Sequence, residues 1–309
     1  MKRRFEITDG RCVVPHGITD INEREFYCLD ELREIVLPET LRGIGREAFK
    51  GCWNLEEICI PQGVVEIEDE AFAGCCSLES IEVVEGNPIF RSEGNCCLTK
   101  DRKTLVFGCK SSVIPASVET IGRSAFQWCE TLSGINIPAS VVSIQNRAFY
   151  GCLALRSIGF PDSGNLRMIG ADSFSHCPSL RVITLPDGVH EIGPGAFAKC
   201  PYLWSVRIPD SMSCIEEGLF FGCERLSNFS LPDTISEIKR YAFCGCHNLE
   251  GLEIPASVAI IGSYSFSECG RRERVKIPDT VRLIGRDVSS CYSPVEVDEN
   301  DSLAPNVPS

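Results

Sequence analysis

"IPASVETIGRSAFQWCETLSGINIP", residues 114 to 138, opens and closes on the same Ile-Pro pair, and its spacing recurs along the chain. Prolines that follow an apolar residue at the end of such a unit stand at Pro15, Pro38, Pro61, Pro115, Pro138, Pro161, Pro186, Pro209, Pro232, Pro255 and Pro278. Eight of their ten intervals are 23 residues, and the other two are 25 (Pro161 to Pro186) and 54 (Pro61 to Pro115). Isoleucine follows most of these prolines by six residues, as at Ile121, and phenylalanine comes five further on. Ten of the sixteen phenylalanines occupy that one position. A fixed period of this length overrides the two-domain expectation that 309 residues would otherwise raise.

A single unit of 23 residues cannot enclose its apolar side chains, so the copies must stack and bury them against one another. Within a unit, "LEEICIP" alternates with period two, as a strand with one buried face does. The proline ends the strand because it has no N–H for the next ladder bond. "VVEI" after Pro61 predicts a second short extended piece, and "GREAFKG" predicts a helical turn closed at Gly51.

The repeat I-P-x-x-V-x-x-I-G-x-x-A-F-x-G-C-x-x-L-x-x-I-x resembles the BspA-like branch of the leucine-rich repeat families, over residues 14 to 291. That resemblance implies an α/β repeat solenoid: a right-handed, curved array of short parallel strands and short helical turns, used for protein or surface binding, with no catalytic residues to carry over. Residues 1–13 are expected to form an N-terminal cap segment and 292–309 a disordered acidic tail. The long interval, residues 84–112, is read as a β-hairpin insertion around the turn "TKDRK". It is either a structural variant of the rung or a protrusion that touches a partner.

A net charge of −13 excludes a phosphate-tracking surface, so no nucleic-acid partner is expected. "MKRRFEITDGRCVV" lacks the apolar run of a secretory leader, and no stretch approaches 18 apolar residues, so membrane insertion is not expected either. As written the chain reads as cytoplasmic; a leader already removed would place it at the cell surface or outside.

Nineteen cysteines raise three alternatives: a packing role, disulfides, or redox and metal chemistry. Nine of them, Cys52, Cys75, Cys129, Cys152, Cys177, Cys200, Cys223, Cys246 and Cys269, keep one repeat position through both irregular intervals. Position is what repeats, which predicts small buried hydrophobes. Zinc would call for converging Cys and His pairs, and the chain has four histidines and no CxxC. No metal or cofactor is therefore expected.

The expected function is that of a non-enzymatic protein-binding scaffold, with an unidentified protein partner held on the concave strand face. The outward strand positions supply Glu34, Glu57, Cys59, Glu82, Asn136, Thr184, Arg207, Asn228, Glu253, Arg274 and Lys276. They run from acidic through neutral to basic, and complementary potential governs partner choice. The alternatives are a surface adhesin that contacts a host, and a cysteine-based redox or metal-binding protein.

Overall fold

Each 23-residue unit makes one turn of a β-solenoid in the computed structural model, which describes residues 4–270, 275 and 277–288. Two ladders of parallel strands run along it. The wider ladder holds the strands that precede the prolines: Arg11–Val13 pairs with Glu34–Val36, Glu57–Ile60 with Ser80–Val83, Gly134–Asn136 with Ser157–Gly159, and Val182–Thr184 with Ser205–Arg207. The narrower ladder holds two-residue strands that begin a few residues after each proline, such as Gly43–Ile44 against Glu66–Ile67. In both, equivalent residues of successive repeats face each other, as Ile58 faces Ile81.

The expected helical turn is absent: among the described residues there is no helix, and "GREAFKG" is a run of consecutive tight turns. The reason lies in where its donors point. The N–H groups of Ala48, Lys50 and Cys52 bond three residues back, to Gly45, Glu47 and Phe49, at 3.0–3.2 Å. Those of Glu47, Phe49 and Gly51 bond forward to Asp69, Ala71 and Ala73 of the next rung, at 2.8–3.2 Å. A helix would spend every donor on itself; here every second donor joins two rungs. The alternation requires left-handed residues four apart, Glu47 at φ 54° and Gly51 at φ 75°. Glycine, which adopts that conformation without strain, takes the second position in about half of the rungs, as at Gly51, and the first at Gly195 and Gly218.

Between ladders and turns lies the core. The phenylalanines stack face to face, at 5.0 Å for Phe26 on Phe49 and Phe126 on Phe149 and 5.9 Å for Phe197 on Phe220. Beside them runs the cysteine column. The Cys52 thiol donates to the Phe26 carbonyl at 2.9 Å, Cys75 to Phe49 at 3.3 Å, Cys152 to Phe126 at 3.2 Å and Cys223 to Phe197 at 3.1 Å. Cys177, Cys200, Cys246 and Cys269 make the same bond. The Phe49 and Phe126 carbonyls also accept the N–H of the cysteine three residues on, so both lone pairs are used. A thiol suits this place because it combines a small apolar volume with a weak donor.

Residues 90–108 interrupt the repeat. Phe90–Glu93, Cys96–Thr99 and Thr104–Gly108 form three antiparallel strands, and the last pairs in parallel with Thr120–Ile121 of the following rung. Asn87 anchors the departure, donating to the carbonyls of Pro61 and Val64 and accepting from the N–H groups of Ile89 and Phe90. The insertion is a joint. Phe107 stacks on Phe72 at 4.3 Å and continues the ring column. The middle strand shares itself between two apolar clusters: Cys97 belongs with the N-terminal one, and Cys96 and Leu98 belong with the C-terminal one. Over this joint the turns close directly, Gly74 N–H bonding to the Gln127 carbonyl at 3.0 Å.

The eighteen described cysteines are all unpaired thiols, and of these only Cys28 and Cys59 are exposed. Burial pushes the Cys52, Cys129 and Cys200 thiols up to about 12 and those of Cys75, Cys152, Cys177 and Cys223 well above the usual 9. Thiols so held are protonated at neutral pH and are poor nucleophiles.

Three outcomes follow from this core. Phe107→Ala, which removes the buried ring that closes the N-terminal cluster at the insertion, is expected to cost about 3–5 kcal/mol and to split denaturant unfolding into two steps, read by fluorescence and circular dichroism. Alkylation of the native protein, mapped by peptide mass spectrometry, should mark Cys28 and Cys59 first among the described cysteines and reach the column only after denaturation. Stability should also fall as pH rises from about 9 towards 12. The unfolded thiols lose protons there and the native ones do not, at up to about 1.4 kcal/mol per pH unit for each thiol. Urea titrations across that range measure the slope.

Candidate functional site

On the wider ladder, period-two alternation decides which side chains reach solvent. In Glu57–Ile60 the isoleucines are buried, and Glu57 and Cys59 are exposed. The same rule brings out Val36, Glu82, Asn136, Thr184 and Arg207, with Glu34 half-buried. Asn228 and Glu253 are exposed too, but regular pairing thins at this end. Asn228 makes a single bridge to Ser205, and Glu253 lies in none of the named strands. Arg274 and Lys276 lie outside the described residues, as does the expected tail.

The structure brings only part of the candidate face together. Glu34, Glu57, Cys59 and Glu82 line one recess of about 890 Å³, across the three rungs before the insertion. Its walls come from the segments that follow the strands and include Leu37, Glu39, Arg42, Gln62, Val65 and Val84. Arg42 folds over Gly63, where any side chain would collide with its guanidinium, and donates to the carbonyls of Leu41 at 3.2 Å and Glu39 at 3.3 Å. Asn136, Thr184 and Arg207 stand on later rungs outside the recess.

The electrostatics separate used charges from free ones. Glu34 accepts from Arg11 at 2.8 Å, and Arg207 is answered by Asp187 at 2.8 Å. On the turns, buried Glu47 is held down to about 2 by Arg24, against the cost of burial and with help from Lys50. Glu70 is met by Lys50 at 2.5 Å and by Gln127 at 3.2 Å. No ion pair among the described residues involves Glu57 or Glu82. The Cys59 thiol between them is pushed up by its burial, then by the carboxylates of Glu82 and Glu57.

Sequence reasoning missed much of the apolar share of the recess. Val36, 37% exposed, is an outward strand position that alternation predicts, whereas Val65, 47% exposed, and Val84, 41%, lie beyond the strands and were missed. A partial signal existed, since each is a hydrophobe at a position the alternation leaves uncovered. The aromatic residues gather elsewhere, along the turns, where Trp128 meets Tyr150 at 5.3 Å and Tyr241 meets Tyr264 at 5.2 Å. Among the described residues no group of three or more His, Cys, Asp or Glu is placed to hold a metal ion, and no helix is long and apolar enough to cross a membrane.

Comparison with known proteins agrees with this architecture. The profile of the BspA type leucine rich repeat region matches in six copies, over residues 10–98, 106–224 and 190–298. Among solved structures, the chain is similar to a leucine-rich repeat protein from Bacteroides ovatus, at 28% identity and a TM-score of 0.58, over 90% of this chain and 69% of that one. It shares its fold with a leucine rich cell surface protein from Faecalibacterium prausnitzii, at 24% identity and a TM-score of 0.52, over 93% of each chain. The pneumococcal vaccine antigen PcpA has the fold too, at 21% identity and a TM-score of 0.59; 82% of this chain is covered but only 62% of that one. Curated protein sequences give no match. The stacked 23-residue rungs, the phenylalanine and cysteine columns and the profile that spans most of the sequence agree, and the chain belongs to the BspA type leucine rich repeat family.

Proposed function

We propose that this chain is a non-enzymatic scaffold that binds a protein partner on its wider strand face, with the principal contact in the recess formed by the rungs before the insertion. The observation that carries the reading is the recess itself. The recess joins exposed valines to the carboxylates of Glu57 and Glu82, which no cation among the described residues answers. The fold supports the same reading, because a rigid stack holds outward side chains at fixed spacing while leaving their identity free. A redox or metal role is disfavoured by the raised thiols of the column, which lack the low pKa that reactive cysteines need.

Selection of a displayed twelve-residue peptide library on the immobilised chain tests the reading. Enriched binders should lose at least tenfold in affinity on a Glu57→Lys/Val84→Asp variant. They should keep it on Glu191→Lys/Glu224→Lys, which makes exposed changes away from the recess. Thermal unfolding of each variant confirms that the fold is intact. Binders indifferent to the recess substitutions, or no enrichment at all, would overturn the assignment.

A further inference from the structure

The recess carries enough detail to specify the chemistry of its occupant, an inference that rests on the scaffold reading above. Its charges divide into spent and available. Glu34 is taken by Arg11, and Arg42, on the wall, donates to the Leu41 and Glu39 carbonyls while keeping its positive charge. Glu57 and Glu82, both exposed, remain available on the strands, and exposed Glu39 on the wall adds a third carboxylate of the same sign.

Register fixes their relation. Glu57 stands opposite Ser80, and Cys59 stands opposite Glu82, so the two free carboxylates are one strand and two residues apart. With strands about 4.8 Å apart and a rise of about 3.3 Å per residue, their Cα atoms lie about 8 Å apart. Val36, Val65 and Val84 border this pair. An extended chain places residues i and i+2 on one face about 6.6 Å apart, and long basic side chains readily span the small difference.

We propose that the recess binds an extended protein segment with basic residues at positions i and i+2, directed at Glu57 and Glu82, and an aliphatic residue that packs on the exposed valines. An acidic segment would place like charges together in the same space. A phosphate backbone or an anionic lipid surface would meet the same repulsion. The negative field is felt inside the site at Cys59, whose thiol is disfavoured as thiolate by both carboxylates in addition to its burial.

Fluorescence anisotropy with three labelled twelve-residue peptides of matched length tests this. One carries lysines at i and i+2 among valines, one has the same lysines adjacent, and one has glutamates in their place. The spaced-lysine peptide should bind at least tenfold more tightly than the glutamate peptide and severalfold more tightly than the adjacent-lysine one. Its advantage should shrink as sodium chloride rises from 50 to 300 mM. Glu57→Lys/Glu82→Lys should abolish the preference, whereas Glu191→Lys/Glu224→Lys, with the same change in net charge, should preserve it. Equal affinity for lysine and glutamate peptides overturns the charge selection and leaves the scaffold reading standing, since the library selection maps the face independently. Equal affinity for spaced and adjacent lysines overturns the register match. Failure of the spaced-lysine peptide to bind overturns the proposal outright.

Discussion

The stacking of each phenylalanine on the next is the contact to which the other features of the rung conform. A ring that must lie flat on its neighbour, at 5.0 Å for Phe126 on Phe149 and 5.1 Å for Phe149 on Phe174, sets the advance per rung close to the spacing of paired strands. Both strand ladders can then hydrogen-bond in register on either side of the column. The turn that carries the ring must spend half its donors forward to keep that advance, which is why it is not a helix. The carbonyl of the ring residue is then left with one lone pair inside the core, and the cysteine thiol of the next rung fills it. Ring, turn and thiol are one device, repeated.

Much of this was legible in the sequence because a packing position cannot vary its residue freely. The prolines, the Phe position and the Cys position are marked by identity, and their common step gave the period even across the 25-residue interval. The helical turn was misread because the residue that excludes it leaves no mark. The left-handed position is filled by Glu47, Ser124, Arg147 and Asp172 in different rungs, and nothing about those side chains announces φ near 55°. The recess was half legible. Glu57, Cys59 and Glu82 follow from alternation within a strand, whereas Arg42, Val65 and Val84 enter from segments whose course depends on how neighbouring rungs lie.

The insertion explains why the recess sits where it does. Up to Val83 the wider ladder repeats rung by rung, as the pairs Arg11–Val13 with Glu34–Val36 and Glu57–Ile60 with Ser80–Val83, and beyond it the chain turns away through Gly86, Asn87 and Pro88 instead of starting another rung. Gly86 and Pro88 thus become an end wall, held by the four hydrogen bonds of Asn87. Later rungs, with Gly134 and Gly159 among their outward residues, have no such wall. The insertion therefore does two things at once. It ends the N-terminal ring column on Phe107 while its middle strand faces both apolar clusters, and it breaks the repetition of the outer face.

That division of labour bears on where specificity resides in such a molecule. Substitution in the column is constrained from both sides, because its rings and most of its thiols meet a partner one rung away; the thiol of Cys152 and the carbonyl of Phe126 cannot change independently. Some outward positions pair across rungs too, as Arg11 does with Glu34, but Glu57 and Glu82 do not. Glu57 faces Ser80 across the ladder, and Cys59 faces Glu82, with nothing in the fold requiring either pair. Two carboxylates in no ion pair among the described residues, kept near each other where either could have been neutral at no cost to the stack, are not explained by stability, since like charges at close range oppose folding. A binding requirement would explain them, and the positions where the repeat imposes nothing are the ones on which partner choice can be written.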